Sequence, residues 1–142
     1  MLKNIPANIS PDLLKVLMEM GHGDELVLAD ANFPAEACGR RVVRADGIMI
    51  PELLKSILQL FPLDTYSQNQ IALMQVVEGD PTVPVIWEDY HWIVEDAFPG
   101  HDTEMVERFD FYNRAKEAFV VVQTGETALY GNIILKKGVV IP

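Results

Sequence analysis

The sequence has little of what several protein classes require. It has one cysteine, Cys38, so no internal disulfide can form, which favours a reduced compartment, most simply the cytoplasm. No run of residues approaches the length and apolarity of a membrane span. The start, MLKNIPANIS, carries one lysine but no apolar core, so no secretory signal is expected. There is no Walker loop and no GxGxxG fingerprint. His91 and His101 lie ten apart without a Cys or His partner at metal-ligand spacing, and Cys38 has no local activating pattern. No Lys or Arg lies between Lys55 and Arg108.

That last absence organises the chain. The formal net charge is −10, and the interval from Lys55 to Arg108 holds ten acids, while eleven acids face eleven bases elsewhere. The whole imbalance lies in one segment. Such a chain is a poor candidate for nucleic acid or an anionic membrane surface. Its 49% hydrophobic content is too high for an acidic disordered segment. With 142 residues it forms one domain, spanning 1–142, with enough core to fold without a metal or crosslink. No 20–50-residue repeat is visible.

Local signals alternate between helix and strand. Ser10 can cap a helix with Pro11 at its first position, and Leu13, Leu14, Leu17 and Met18 give it one apolar stripe. Gly21 suits its end. Leu26–Ala29 reads as a buried strand, followed by a loop marked by Asn32, Pro34 and Gly39. A second helix begins near Pro51, and Ile71–Val77 reads as another buried strand. Trp87, Tyr90, Ile93 and Val94 fit a helical face ended by Pro99-Gly100. Phe109, Tyr112, Ala115 and Phe119 suit a helix entering a strand at Val120–Thr124, and Asn132–Leu135 gives a last strand. The alternation implies a layered α/β domain.

Four features could carry chemistry. His22 sits between Gly21 and Gly23 just after a helix, where glycines let the backbone approach a ligand and a histidine can move a proton near neutral pH. The alternative is a helix-ending turn with a solvent-exposed histidine. Asp30 ends the first strand, at the edge of an α/β sheet where ligands sit, or is an ordinary loop acid. One helix–strand unit carries both His22 and Asp30. The Arg108 fork could bind sugar hydroxyls or a carboxylate, or form a structural salt bridge with a nearby acid. Tyr130-Gly131-Asn132 suits a tight polar site, or a hairpin turn before the last strand. The Trp87/Tyr90 face reads as core or subunit interface.

Together these residues form a known set. ISPDLLKVLMEMGHGDE (9–25), DANFP (30–34), RADG (44–47), VEGD (77–80), RFDFYNRA (108–115) and the TGE…YGNIILKKGV of 124–139 resemble the fucose mutarotase family, which is related to the ribose pyranases. The resemblance covers nearly the whole chain and is weakest over 81–107. It implies a three-layer α/β/α domain with a mostly parallel mixed sheet, and homo-oligomers whose sites are completed near subunit contacts. It also implies that His22 is the catalytic acid, and that Asp30, Arg108, Tyr130, Gly131 and Asn132 bind a monosaccharide. RFDFY favours the fucose branch. The reaction implied, exchange of α and β anomers of L-fucose or a similar pyranose, requires neither metal nor redox cofactor. Asp30 would then orient the sugar or His22. Two other readings are a ribose pyranase interconverting pyranose and furanose forms, and a non-catalytic monosaccharide-binding protein of the same fold. Because the acidic segment beyond Asp80 carries almost none of the matched motifs, it is expected to be a solvated surface or an oligomer rim.

Overall fold

Apolar residues run unbroken through Leu26–Ala29 and Val120–Val122, as in strands buried on both faces. A computed structural model describes residues 1–142 and places both runs at the centre of a sheet. The elements follow as α1 (Pro11–Glu19), β1 (Glu25–Ala29), α2 (Ala35–Cys38), β2 (Val42–Ala45), α3 (Ile50–Leu58), β3 (Ile71–Met74), α4 (Ile86–Ala97), β4 (Thr103–Val106), α5 (Arg108–Glu117), β5 (Val120–Thr124) and β6 (Ile133–Lys136). The six strands lie in the order β2-β5-β1-β6-β3-β4. All run parallel except β6, which is antiparallel to both β1 and β3.

Side chains alternate across these central strands. Leu26 and Leu28, with Val120, Val122, Ile133 and Leu135, point into the larger core, which Leu13 and Leu17 of α1, Leu53 and Ile57 of α3, and Tyr90 and Val94 of α4 close. Val27, Ala29, Val121 and Ile134 point the other way, under Ala35 of α2 and Phe111 and Ala115 of α5. The result is the expected three-layer α/β/α arrangement with a mostly parallel mixed sheet.

The local readings hold for the central elements and fail at the edges. Ser10 caps α1, its Oγ accepting from Leu13 N at 3.1 Å. However, Val16 joins Leu13 and Leu17 inside, and Met18 is exposed. In α5 the buried residues are Phe111 and Ala115, and Phe109 is exposed. The edge strands β2 and β4 have no signal in the sequence because each is four residues long and largely solvated on one side. Helix α2 occupies the segment read as loop, and is a single turn. The turn before β6 is not a hairpin, because β1 lies between β5 and β6.

The parallel strands β1, β3, β4 and β5 all end at one edge of the sheet, where β6 begins. The start of β1 and the end of β6 lie at the opposite edge, with Glu25 beside Lys136. This separation positions everything that follows.

Candidate functional site

At the carboxyl edge a cleft of about 240 Å³ is lined by Asp30, Asn32, Phe33, Met74, Val77, Asp80, Arg108, Tyr112, Leu129, Tyr130 and Asn132. Ligands of open α/β sheets bind at this edge. Asp30 directly follows β1 and is almost fully buried. Its N–H donates to Asn132 Oδ1 at 2.7 Å, and its Oδ1 accepts from Asn32 N at 3.0 Å. Burial raises its carboxyl above the usual range; hydrogen bonds from Asn32, Phe33 and Asn132 act against this, and the nearby Glu126 charge adds to it.

Arg108 is the first residue of α5, whose amino terminus is capped by Glu107 Oε2 accepting from Phe109 N at 2.9 Å and Asp110 N at 3.1 Å. A cation at this end of a helix faces the positive pole of the macrodipole. Arg108 has no salt bridge there, and its buried Nε has no hydrogen-bond partner. The guanidinium lies 4.5 Å from the centre of its neighbour Phe109's ring. Arg44 and Arg114, by contrast, are each bound by two carboxylates. The salt-bridge reading of Arg108 is therefore not what the structure contains. A guanidinium left without acceptors in a polar cleft needs them from a ligand.

The turn between β5 and β6 is held from several sides. Tyr130 has φ of 57°, unusual for a residue with a side chain and costing about 1–3 kcal/mol. Its Oη donates to Asp80 Oδ2 at 2.6 Å and accepts from Val77 N at 3.3 Å. Its carbonyl accepts from Trp87 Nε1 at 2.9 Å, and the next carbonyl, of Gly131, accepts from Tyr90 Oη at 2.6 Å. A Cβ on Gly131 would lie 2.9 Å from Ala128 O, so only glycine fits. Buried Glu126 completes the support, its carboxylate accepting from Ile50, Thr127 and Ala128 N–H groups. Hydrogen bonds from Thr82 and then Tyr130 hold Asp80 below the usual carboxylate range.

His22 lies elsewhere. Gly23 N donates to Lys137 O, and Lys137 N to Asp24 O, which ties the histidine loop to the far end of β6. Six residue steps of extended chain separate Asp24 from Asp30, or about 20 Å. The single helix–strand unit that suggested a partnership of His22 with Asp30 thus holds them apart within one chain. At its own end, His22 Nε2 lies 2.9 Å from Asp64 Oδ1. Asp64 is 2% exposed and also accepts from Tyr66 N at 3.0 Å and Ser67 Oγ at 2.6 Å. Burial alone would raise its carboxyl, but these donors and His22 outweigh that and bring it down to about 2. The His22 side chain is 46% exposed, and its ring centre lies 5.2 Å from that of exposed Tyr66.

The structure thus gathers Asp30, Arg108, Tyr130 and Asn132 into one cleft. It sets Gly131 behind the lining and His22 at the opposite end of the sheet. Asp80 and Asp64 were missed by the sequence reading. Asp80 had a signal, since it closes the VEGD motif; Asp64 had none, because its partner is 42 positions away. Trp87 and Tyr90 belong to the acidic segment yet hold the site's turn. Their N–H and O–H groups, needing partners when buried, were the available signal. The remaining histidines cluster apart, with His101 Nδ1 2.7 Å from Glu95 Oε2, and no group of three or more His, Cys, Asp or Glu is placed to hold a metal ion.

Residues 3–140 match the RbsD / FucU transport protein family. The chain is 56% identical to the fucose mutarotase of Danio rerio over 99% of its own length and 95% of that protein's. It superimposes with a TM-score of 0.93 on a crystal structure of the fucose mutarotase in complex with L-fucose from Streptococcus pneumoniae, at 57% identity, covering 99% of this chain and 100% of that one. Bacillus subtilis RbsD complexed with D-ribose shares the fold, with a TM-score of 0.75 at 21% identity over 99% of this chain and 100% of that one.

Proposed function

The chain belongs to the RbsD / FucU transport protein family, and from that premise we propose that it is a mutarotase, an isomerase interconverting the α and β anomers of L-fucose. The observation that carries this is the cleft itself. It offers an arginine without acceptors, a buried carboxylate and the Asn132 amide, whose oxygen accepts from the Asp30 backbone N–H, beside the apolar Phe33, Met74 and Leu129. A pyranose presents that combination, hydroxyls around its rim and C–H groups on its faces. The 57% identity to a fucose mutarotase solved with L-fucose favours fucose over ribose, because the ribose-bound relative is similar in fold alone.

In the reaction, the ring oxygen gains a proton, the anomeric hydroxyl loses one, and the C1–O5 bond opens to an aldehyde. Rotation about C1–C2 presents its other face, and reclosure returns both protons. Arg108, Tyr130 and Asn132 hold the hydroxyls, while Asp30 orients the sugar and accepts the hydroxyl proton. The raised carboxyl of Asp30 suits an acceptor better than an ordinary aspartate would. His22 is the proton donor to the ring oxygen.

Because His22 and the cleft are about 20 Å apart in one chain, His22 reaches the sugar from a second copy. Homo-oligomerisation is thus part of this reading. Exposed apolar residues at both ends support it, with Tyr66 beside His22 and Leu129 in the cleft. A contact between two different ends of one subunit is heterologous and closes into a ring when its rotation permits. The one free cysteine supports a cytoplasmic setting. No helix is long and apolar enough to cross a membrane.

Saturation-transfer NMR of the anomeric protons tests the reading. The protein accelerates α/β exchange of L-fucose well above the uncatalysed rate, and ribose much less. Binding of fucose with no acceleration would instead mark a sugar-binding protein.

A further inference from the structure

Asp80 lines the cleft, yet no step of the reaction uses it. Both of its oxygens are engaged. Oδ1 accepts from Thr82 N at 2.9 Å in a tight turn, and Oδ2 accepts from Tyr130 Oη at 2.6 Å. Arg108 lines the same cleft, but the carboxylate is turned to Thr82 and Tyr130 instead. The phenol oxygen of Tyr130 is also met by Val77 N at 3.3 Å. We propose that Asp80 is a specificity-determining residue: by holding the Tyr130 hydroxyl proton it leaves Tyr130 Oη able only to accept from the sugar, so the cleft selects a hydroxyl that donates at that point. The proposal rests on the cleft being the site that binds the sugar, and says which way one of its hydrogen bonds runs.

The direction follows from the donors and acceptors present. A phenol oxygen has one proton to give and lone pairs with which to accept. The proton goes to Asp80, whose carboxyl is held below the usual range and has none of its own to offer. Val77 N–H takes up part of the accepting side. What remains of the oxygen can only accept. Arg108 and the Asn132 amide, in contrast, have N–H groups to give. The cleft therefore sets donors and one acceptor-only oxygen around the sugar. The backbone makes this arrangement rigid, since Tyr130 is held at φ of 57° and its carbonyl accepts from Trp87 Nε1. An oxygen that cannot turn its proton toward the ligand discriminates more sharply than a free hydroxyl, which donates or accepts as required.

One substitution reverses the direction. In Asp80→Asn the Thr82 N–H is a fixed backbone donor and keeps the amide oxygen at the Oδ1 position. The new NH₂ then faces Tyr130 Oη and donates to it, which releases the phenol proton toward the sugar. Tyr130 turns from acceptor to donor with almost no change in shape. The experiment is calorimetric binding of L-fucose, and of its deoxy and deoxyfluoro analogues at C2, C3 and C4, to full-length wild type, Tyr130→Phe and Asp80→Asn. Fluorine donates no hydrogen bond and accepts one weakly. Tyr130→Phe identifies the hydroxyl involved, as the position whose deoxy analogue costs affinity in wild type and not in the variant. At that position wild type is expected to bind the fluoro sugar no better than the deoxy sugar, each about three- to tenfold more weakly than L-fucose, the loss of one hydrogen bond. Asp80→Asn is expected to bind the fluoro sugar better than the deoxy sugar there, with the ratio at the other positions unchanged.

Either variant tests the proposal without the other. A wild type that binds the fluoro sugar clearly better than the deoxy sugar at the position Tyr130→Phe identifies overturns it, and needs no Asp80 variant to fold. A folded Asp80→Asn with the wild-type ratio of fluoro to deoxy binding at all three positions overturns it as well. So does a Tyr130→Phe that binds every sugar as wild type does. If wild type fails to bind L-fucose at all, the reading of the cleft as the sugar site fails instead.

Discussion

The two ends of β1 are built on different plans. At the carboxyl end, polar groups from the loop after β1, the start of α5, the 126–132 turn and the loop after β3 converge on one cleft, and backbone and aromatic hydrogen bonds lock the turn in place. At the amino end there is one half-exposed histidine with a buried carboxylate behind it and no cleft before it. The first end gathers hydrogen-bonding groups around a cleft. The second can move a proton but has nothing to hold a substrate. The difference teaches that one strand can carry two unlike polar centres, which the proposed mechanism joins through a second copy of the chain.

Substitutions at the two ends should therefore fail in different ways. The largest effect is expected for His22→Ala, which lowers kcat roughly 10²–10⁴-fold with little change in KM, because it removes a proton donor and no binding group. Arg108→Ala raises KM and lowers kcat/KM about 10- to 100-fold, the loss of charge-assisted hydrogen bonds to hydroxyls. Exchange kinetics across a fucose series separate the two patterns, and identical patterns would break the comparison.

The carboxylates sharpen it through stability. The Asp30 carboxyl is raised in the folded state, so its ionisation opposes folding, and that penalty disappears as pH falls below the usual carboxylate range. Asp30→Asn should thus be more stable than wild type at pH 7, with the advantage shrinking in acid, while exchange falls. The Asp64 carboxyl is lowered to about 2, so its contribution is fully present above about pH 4 and is lost as pH falls toward 2. Asp64→Asn should lose about 2 kcal/mol at pH 7, closing on wild type in acid. Urea denaturation at pH 7 and pH 3 gives both signs.

Smaller effects concern the acidic segment. Trp87→Phe removes the bond to the Tyr130 carbonyl and should raise KM several-fold, consistent with about 1 kcal/mol. Glu88→Gln, Asp89→Asn and Asp96→Asn, all at exposed positions of α4, should leave exchange within about twofold of wild type, since their charges are screened by solvent. A drop as large as that of Trp87→Phe would place the charge itself in the site.

This segment also shows how far the sequence could be read. Its acidity and its near lack of family motifs marked a solvated surface or an oligomer rim, and on α4 Glu88, Asp89 and Asp96 are exposed. The same helix turns Trp87 and Tyr90 inward to the turn carrying Tyr130 and Gly131, which charge alone does not reveal. The central strands were legible because burial on both faces forces continuous apolar runs, as in Leu26–Ala29. Edge strands β2 and β4 were not, because four half-solvated residues leave no run to find. Asp30, Arg108, Tyr130 and Asn132 stood out singly by residue type and place. Their convergence depends on strand order, which brings Asp30 to Asn132 across 102 positions. The distance between His22 and Asp30 was in principle legible, since a helix, a strand and their order place one before the strand and the other after it.

The most direct test of a divided site is complementation. His22→Ala and Arg108→Ala proteins, each of low activity at a fucose concentration well below KM, are mixed one to one, dissociated in denaturant and reassembled together. If His22 serves the cleft of another copy, random assembly pairs an intact cleft with an intact histidine at about a quarter of the sites, and fucose exchange returns to roughly that fraction of wild type. If the reassembled mixture stays as inactive as its components, the histidine and the cleft act within one chain, or not together at all, and the account is wrong.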